Sequence, residues 1–228
     1  MSVADTDRDG NASGALREVL VAAREAGFLG PGPIERHLRH AEGFVTLARR
    51  ETESSSPCLL DLGSGGGLPG LVVAGAWPQA SMVLLEANER RAQFLERAVT
   101  ACDLAERVRV VHQRAEIYGR DPTGRATFDG VVVRSFGTPA VVAECAAPLL
   151  RVGGWLIVSE PPGDGGTEQE TTVVDESGRW PVDLLEPLGL RPRDTERTEF
   201  GYQILHQVAI CPDRYPRRNG VPSKKPLF

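Results

Sequence analysis

Ten residues, Asp61-Leu62-Gly63-Ser64-Gly65-Gly66-Gly67-Leu68-Pro69-Gly70, constrain this chain more than any other stretch. The run Cys58-Leu59-Leu60 before them is short and wholly apolar, which predicts a buried parallel strand. Glycine accepts positive φ and lets the backbone come close to a bound molecule. Leu71-Val72-Val73-Ala74 then opens a helical segment, whose first N–H groups lack partners within the helix and are expected to point at a ligand. Strand, glycine turn and helix N-terminus together predict a nucleotide-type cradle.

The spacing of the glycines narrows the ligand. The dinucleotide pattern G-x-G-x-x-G fails from Gly63, because Leu68 occupies the third glycine position. It is met formally from Gly65, but there Pro69 has no N–H to offer. The pattern acid-x-Gly-x-Gly-x-Gly is met in full by Asp61, Gly63, Gly65 and Gly67. It resembles the first motif of class I methyltransferases, which bind S-adenosylmethionine. A dinucleotide cradle favours negative charge. S-adenosylmethionine has no phosphate and carries an ammonium and a sulfonium, which an acid at the strand end, Asp61, suits. A nicotinamide or flavin nucleotide, or a loop without cofactor, are the alternatives.

The rest of the chain supplies the scaffold. Leu16, Val19, Leu20 and Ala23 fall at helical spacing, and Gly27 with Gly30-Pro31-Gly32-Pro33 ends that helix. A second helix starts at Ile34 and runs to about Arg50. Later strands are expected at Met82–Leu85, ending at Glu86, at Arg107–His112, at Phe128–Val133, at Trp155–Val158 and at Gly201–Ile210, the last as an antiparallel hairpin partner. Helices are expected over Asn88–Thr100, with Asn88 as N-cap, and over Pro139–Leu150. Arg114-Ala115-Glu116 is expected on a loop, and 161–166 as a flexible loop. This alternation predicts an α/β fold with a doubly wound, mostly parallel sheet, an antiparallel last strand and N-terminal helices. Ligands on such sheets bind beyond the carboxyl ends of the strands, where Glu86, Arg114 to Glu116 and Arg134 all fall. Glu86 follows Gly63 by roughly the 20 residues at which an acid bonds ribose hydroxyls in nucleotide-binding folds.

Composition sets the remaining bounds. With 228 residues, 41% hydrophobic and 25% charged, there is chain for one sizeable core. Residues 1–13 read as disordered, 14–213 as a single domain with an N-terminal helical extension over 14–50, and 214–228 as a basic tail. No apolar run approaches the roughly 20 residues of a membrane span, and the acidic N-terminus is unlike a signal peptide. Four dispersed cysteines predict free thiols in a reducing cytoplasm and no metal site. His37 and His40 are not read as a metal pair, since no acid partner accompanies them. The net charge of −5 argues against a protein that coats nucleic acid, yet Arg214, Arg217, Arg218, Lys224 and Lys225 follow the last acid, Asp213.

The Gly67-Leu68-Pro69-Gly70 ending resembles the small-subunit ribosomal RNA guanine-N7 methyltransferases, also called the glucose-inhibited division protein B family. Arg36-His37, Arg90-Arg91-x-x-Phe94-Leu95, Arg114-Ala115-Glu116 and Arg134-Ser135-Phe136 match the family in order. Tyr215-Pro216-Arg217-Arg218-x-Gly220-x-Pro222-x-Lys224-Lys225-Pro226-Leu227 is similar to its basic C-terminus. The resemblance implies S-adenosylmethionine as cofactor and ribosomal RNA or the small ribosomal subunit as partner, with the chain acting as a monomer. It implies cofactor contacts from Gly63, Gly65, Leu68, Glu86, Ala115, Glu116 and Arg134, with Ala115 and Glu116 at the adenine. It implies RNA contacts from Arg36, Arg217, Arg218, Lys224 and Lys225. No catalytic base is expected, since guanine N7 already carries an in-plane lone pair. Three features depart from the family: Arg39-His40-Ala41-Glu42 replaces an Asp-Ser-Leu-like segment, an Asn-Leu-containing helix upstream is missing, and Ser159-Glu160-Pro161 replaces a Leu-Lys-Gly turn. An acid at Glu160 is unfavourable beside RNA phosphate, so methylation of a small molecule is the alternative.

Overall fold

The structure is a computed structural model that describes residues 3–161, 178–197 and 199–228, with side chains from residue 14 onward. The apolar runs form β1 (Cys58–Leu62), β2 (Ser81–Glu86), β3 (Val108–His112), β4 (Phe128–Val133) and β5 (Leu150–Glu160), all parallel. The hairpin β6 (Leu190–Arg197) and β7 (Gly201–Gln207) completes the sheet, with β7 antiparallel to both β5 and β6. The order among the described strands is β3-β2-β1-β4-β5-β7-β6. The expected doubly wound sheet with an antiparallel closing strand is present.

Strand periodicity divides the core in two. Leu59, Leu84, Val132 and Ile157 pack on one face of the sheet, and Leu60, Leu85, Val131 and Leu156 on the other. The first face is covered by α1 (Val3–Glu25), α2 (Ile34–Glu51), α3 (Gly70–Ala76) and α4 (Glu89–Ala101). The second carries α5 (Ala115–Tyr118), α6 (Pro139–Ala146) and α7 (Val182–Leu185), with α8 (Val221–Lys224) packed on α6. α4 buries Ala92, Leu95, Ala98 and Val99, and the Asn88 side chain accepts from Arg91 N at 3.2 Å as its cap. Each such leucine contributes about 1.5–3 kcal/mol by leaving water.

Several expectations need correction. α1 begins at Val3, so the segment read as disordered is helical from that residue. Once Leu20 and Ala23 anchor the helix in the core, each further N-terminal residue adds a backbone bond at little cost. Ala115 and Glu116 lie in helix α5, with Arg114 at its N-cap, instead of on a loop. β5 starts at Leu150 and absorbs Val152-Gly153-Gly154 through a register shift against β4. β6 was missed because its residues are mostly charged and only its pairing with β7 makes it a strand. Pro222 sits in the first turn of helix α8, where its missing N–H costs nothing, so the basic tail carries a short helix. The loop expected at 161–166 lies outside the described residues beyond Pro161. No helix among the described residues is long and apolar enough to cross a membrane.

Glu51 fastens α2 to the closing hairpin. Its side chain is 2% exposed and meets Arg50 Nε at 2.9 Å, His206 Nε2 at 2.8 Å and Arg193 Nη1 at 3.6 Å. Burial alone would raise its pKa, but the bonds from His206 and Arg50 and the charge of Arg193 hold it at about 2, below the ordinary 4.5. Its stabilisation is therefore present above pH 4.5 and lost as pH falls towards 2. Glu51→Gln should cost about 1–3 kcal/mol at pH 7. Urea midpoints taken across the acid range should converge with wild type towards pH 2. A gap that stays constant with pH would mean that the carboxylate charge is not what matters.

Candidate active site

The strand order reverses between β1 and β4. In open α/β sheets the crevice at such a reversal, beyond the carboxyl ends, is where ligands bind. Asp61 of β1 pairs in register with Val132 of β4. The glycine turn after Leu62 and the segment Arg134-Ser135-Phe136 therefore leave the sheet side by side.

Gly63 and Ser64 both donate to Leu85 O, at 2.9 and 3.1 Å, which ties the turn to the end of β2. Gly63 has φ +74°, and a Cβ on it would lie 2.5 Å from Phe136 Cδ2. The protein's own packing demands glycine there. Gly65 differs: φ is +54°, but the nearest heavy atom to an added Cβ is 3.8 Å away.

The N-terminus of α3 is not free, contrary to expectation. Gly70 N donates to Asp61 Oδ2 at 3.0 Å, Leu71 N to Gly67 O at 2.8 Å, and Val72 N and Val73 N both to Pro69 O at 3.0 Å. Asp61 is 1% exposed and its Oδ1 has no partner. Burial pushes its pKa up to about 7. Asp61 therefore latches the glycine turn onto α3 and is not among the residues lining the cavity.

A cavity of about 270 Å³ opens in front of the turn. Gly63, Ser64, Gly65, Gly66 and Leu68 line one wall, Phe28, Leu29 and Gly30 another, with Arg91, Arg134 and Ser135 completing it. Glu86 stands one bond behind the lining. Its Oε2 accepts from Gly65 N at 2.9 Å and its Oε1 from Asn88 N at 2.8 Å. A carboxylate oxygen has two lone pairs, so each retains one for a ribose hydroxyl. Two arginines and no acid line the cavity, which suits a carboxylate such as that of a methionine moiety. These residues fit S-adenosylmethionine: backbone at close approach, a carboxylate behind it with free lone pairs, and guanidinium groups for a carboxylate.

Arg134 is the focus of the rim. Its Nη2 lies 2.6 Å from His37 Nδ1, and its Nη1 is buried without a partner. Burial lowers its pKa, opposed by Asp61. Burial, then the charge of Arg134, also lowers the pKa of His37, and it takes His40 down to about 4. Both imidazoles are neutral at pH 7. His40 stacks on Phe200 at 4.5 Å between ring centroids.

The expected site residues therefore divide. Gly63, Gly65, Leu68 and Arg134 line the cavity in front of the glycine turn, and Glu86 stands behind it, bonded to Gly65 N. Ala115 and Glu116 do not line it. Glu116, 5% exposed, accepts from Gly220 N at 2.8 Å and meets Arg114 at 3.5 Å, so it holds the tail. Arg36 lines a neighbouring cavity and lies 5.7 Å from the Phe200 ring centroid. Arg218, Lys224 and Lys225 are exposed. Arg217 is not available to RNA: its Nε and Nη2 grip Glu144 at 2.8 and 2.6 Å, and its backbone N grips the same carboxylate at 2.8 Å. Phe28, Leu29 and Gly30 were missed, because a helix-breaking Gly-Pro cluster carries no sign of which pocket it will wall.

The glycines now make separate predictions. Gly65→Ala should place a methyl at the cavity and weaken S-adenosylmethionine at least tenfold in calorimetry. Its positive φ should cost only about 1–2 kcal/mol of stability. Gly63→Val should lose far more stability because of Phe136. Unchanged cofactor affinity in Gly65→Ala would remove the cofactor from this cavity.

The model of the GidB family, described as rRNA small subunit methyltransferase G, matches residues 33–160. A Ribosomal RNA small subunit methyltransferase G of Rubrobacter xylanophilus is 35% identical over 229 residues, covering 93% of this chain and 85% of that one. Its counterpart in Nostoc punctiforme is 30% identical over 199 residues, covering 85% and 78%. Among solved structures, a cofactor-bound protein from MTB superimposes with a TM-score of 0.58 at 21% identity, covering 85% of this chain and 89% of that one. A SAM dependent methyltransferase from Aquifex aeolicus does so with 0.53 at 13% identity, covering 72% and 88%. These two show likeness of fold. With the glycine turn, the cavity and the family match together, the chain is an S-adenosylmethionine-dependent methyltransferase and belongs to the GidB, or rRNA small subunit methyltransferase G, family.

Proposed function

We propose that this protein methylates N7 of a guanine in small-subunit ribosomal RNA. The observation that carries the reading is Arg134, which lines the cofactor cavity and also two cavities beside it, of about 180 and about 310 Å³. A base held there would lie next to the cavity that suits the cofactor. The names of the relatives support ribosomal RNA as substrate. Exposed Arg218, Lys224 and Lys225 supply positive charge for a phosphate backbone.

The chemistry asks little of side chains. The bound cofactor supplies an electrophilic methyl, and the attacking lone pair needs no base. The protein orients the two reactants in line and excludes water, which is worth several kcal/mol by positioning alone. His37 and His40, being neutral, add no charge to repel a guanine that becomes cationic.

The small-molecule alternative drew support from Glu160, and the structure weakens that support. Glu160 is paired with Arg179 and Trp180, so its charge is not presented bare to RNA. Labelled S-adenosylmethionine should transfer its methyl to small ribosomal subunits lacking the modification, and nuclease mapping should place it on a guanine N7. Label appearing only in a metabolite extract would establish the alternative.

A further inference from the structure

Glu160 ends β5, and Arg134 follows the end of the adjacent β4. Val133 and Val158 pair in register, so the two side chains stand at neighbouring strand ends on one rim. Both line each of the two cavities next to the cofactor cavity. The Glu160 side chain is 5% exposed. Its Oε2 accepts from Arg179 Nε at 2.7 Å and its Oε1 from Trp180 Nε1 at 2.9 Å. Each oxygen keeps a second lone pair. Arg134 Nη1 is buried with no partner. The rim therefore offers a guanidinium donor beside two carboxylate acceptors, at the mouth of space large enough to hold a base.

We propose that Glu160 reads the Watson–Crick edge of the target guanine, accepting from its N1–H and its N2 amino group while Arg134 Nη1 donates to O6. The proposal rests on the guanine-N7 reading above. Among the four RNA bases, guanine alone presents two adjacent donors next to a carbonyl. Adenine and cytosine each offer one amino group beside a bare ring nitrogen, and uracil offers one N–H between two carbonyls. The order of groups around guanine is N2, N1, O6, N7. With N2 and N1 at Glu160 and O6 at Arg134, N7 is directed to the other side of Arg134, which is the cofactor cavity.

This arrangement also serves the reaction. The N7 lone pair forms the new N–C bond as the sulfur–methyl bond breaks. That electron pair leaves on sulfur, giving S-adenosylhomocysteine, and one positive charge moves to the guanine ring. The charge acidifies N1–H, so a carboxylate accepting from it binds the transition state more strongly than the ground state. No proton has to leave.

The test uses guanosine 5′-monophosphate and inosine 5′-monophosphate, which differ only in the N2 amino group. Each is titrated calorimetrically into protein saturated with S-adenosylhomocysteine. Wild type should bind the guanosine form roughly ten- to hundredfold tighter, the usual range for a hydrogen bond to a charged group. Glu160→Ala removes both acceptors, so it should bind both equally, with S-adenosylhomocysteine affinity within about twofold of wild type. Equal binding of the two nucleotides by wild type overturns the proposal, whether or not the variant folds. A variant that keeps the guanosine preference overturns it too. Methylation of small subunits is assayed in parallel. Transfer without guanosine preference leaves the ribosomal reading standing and removes Glu160. Preference without transfer to subunits supports the base pocket and removes the ribosomal substrate.

Discussion

Removal of residues 214–228 is expected to lower the melting temperature by about 10 °C or more. Glu144 of α6 is 0% exposed, and both its oxygens are satisfied by Arg217. Without the tail a carboxylate is left buried and unpaired, which costs on the order of 3–5 kcal/mol. Tyr215, Leu227 and Phe228 also leave the apolar cluster on that face. Arg120 and Arg125 lose Pro216 O and Tyr215 O, and Glu116 loses Gly220 N. Arg217→Ala should reproduce most of the loss. Replacing Arg218, Lys224 and Lys225 together by alanine should leave the fold intact and flatten the dependence of RNA affinity on log salt by up to about 3 units of slope. A truncated protein that melts with wild type would show that the Glu144 pairing contributes nothing.

Arg134→Ala is expected to reduce kcat/KM for methyl transfer by about 10²–10⁴-fold, while thermal stability stays level or rises. The two effects have one cause. Arg134 is a half-buried cation whose Nη1 is buried without a partner, and burial already lowers its pKa. Such a group is costly to keep folded, so removing it relieves a desolvation penalty. Its loss also leaves three adjoining cavities without the residue they share. Arg134→Lys keeps the charge but not the planar fork, and should recover little activity. Activity and differential scanning calorimetry on the same preparations decide the matter. A strongly destabilised Arg134→Ala would mean the residue holds the fold, and its lost activity would then say nothing about substrate.

Much of this protein was legible in the sequence because much of it is local. Apolar runs of strand length, helical spacing and the glycine turn each have a short-range signature, and they determined the parallel sheet, the helices that cover it and the turn that walls the cavity. Positive φ at Gly63 and Gly65 was implied by residue type alone. Glu86 at a strand end was also visible in the pattern. What the sequence did not determine were pairings between residues far apart in the chain: Arg217 with Glu144, Gly220 with Glu116, and Arg134 with His37. Nothing local distinguishes an arginine that grips a buried carboxylate from one that faces water. The same blindness applied to Glu160, an apparent misfit until Arg179 and Trp180 were seen to hold it. Only the packing of the two layers onto the sheet decides which charged side chains are desolvated, and desolvation is what turns a charge into either a fastening or a reader of substrate.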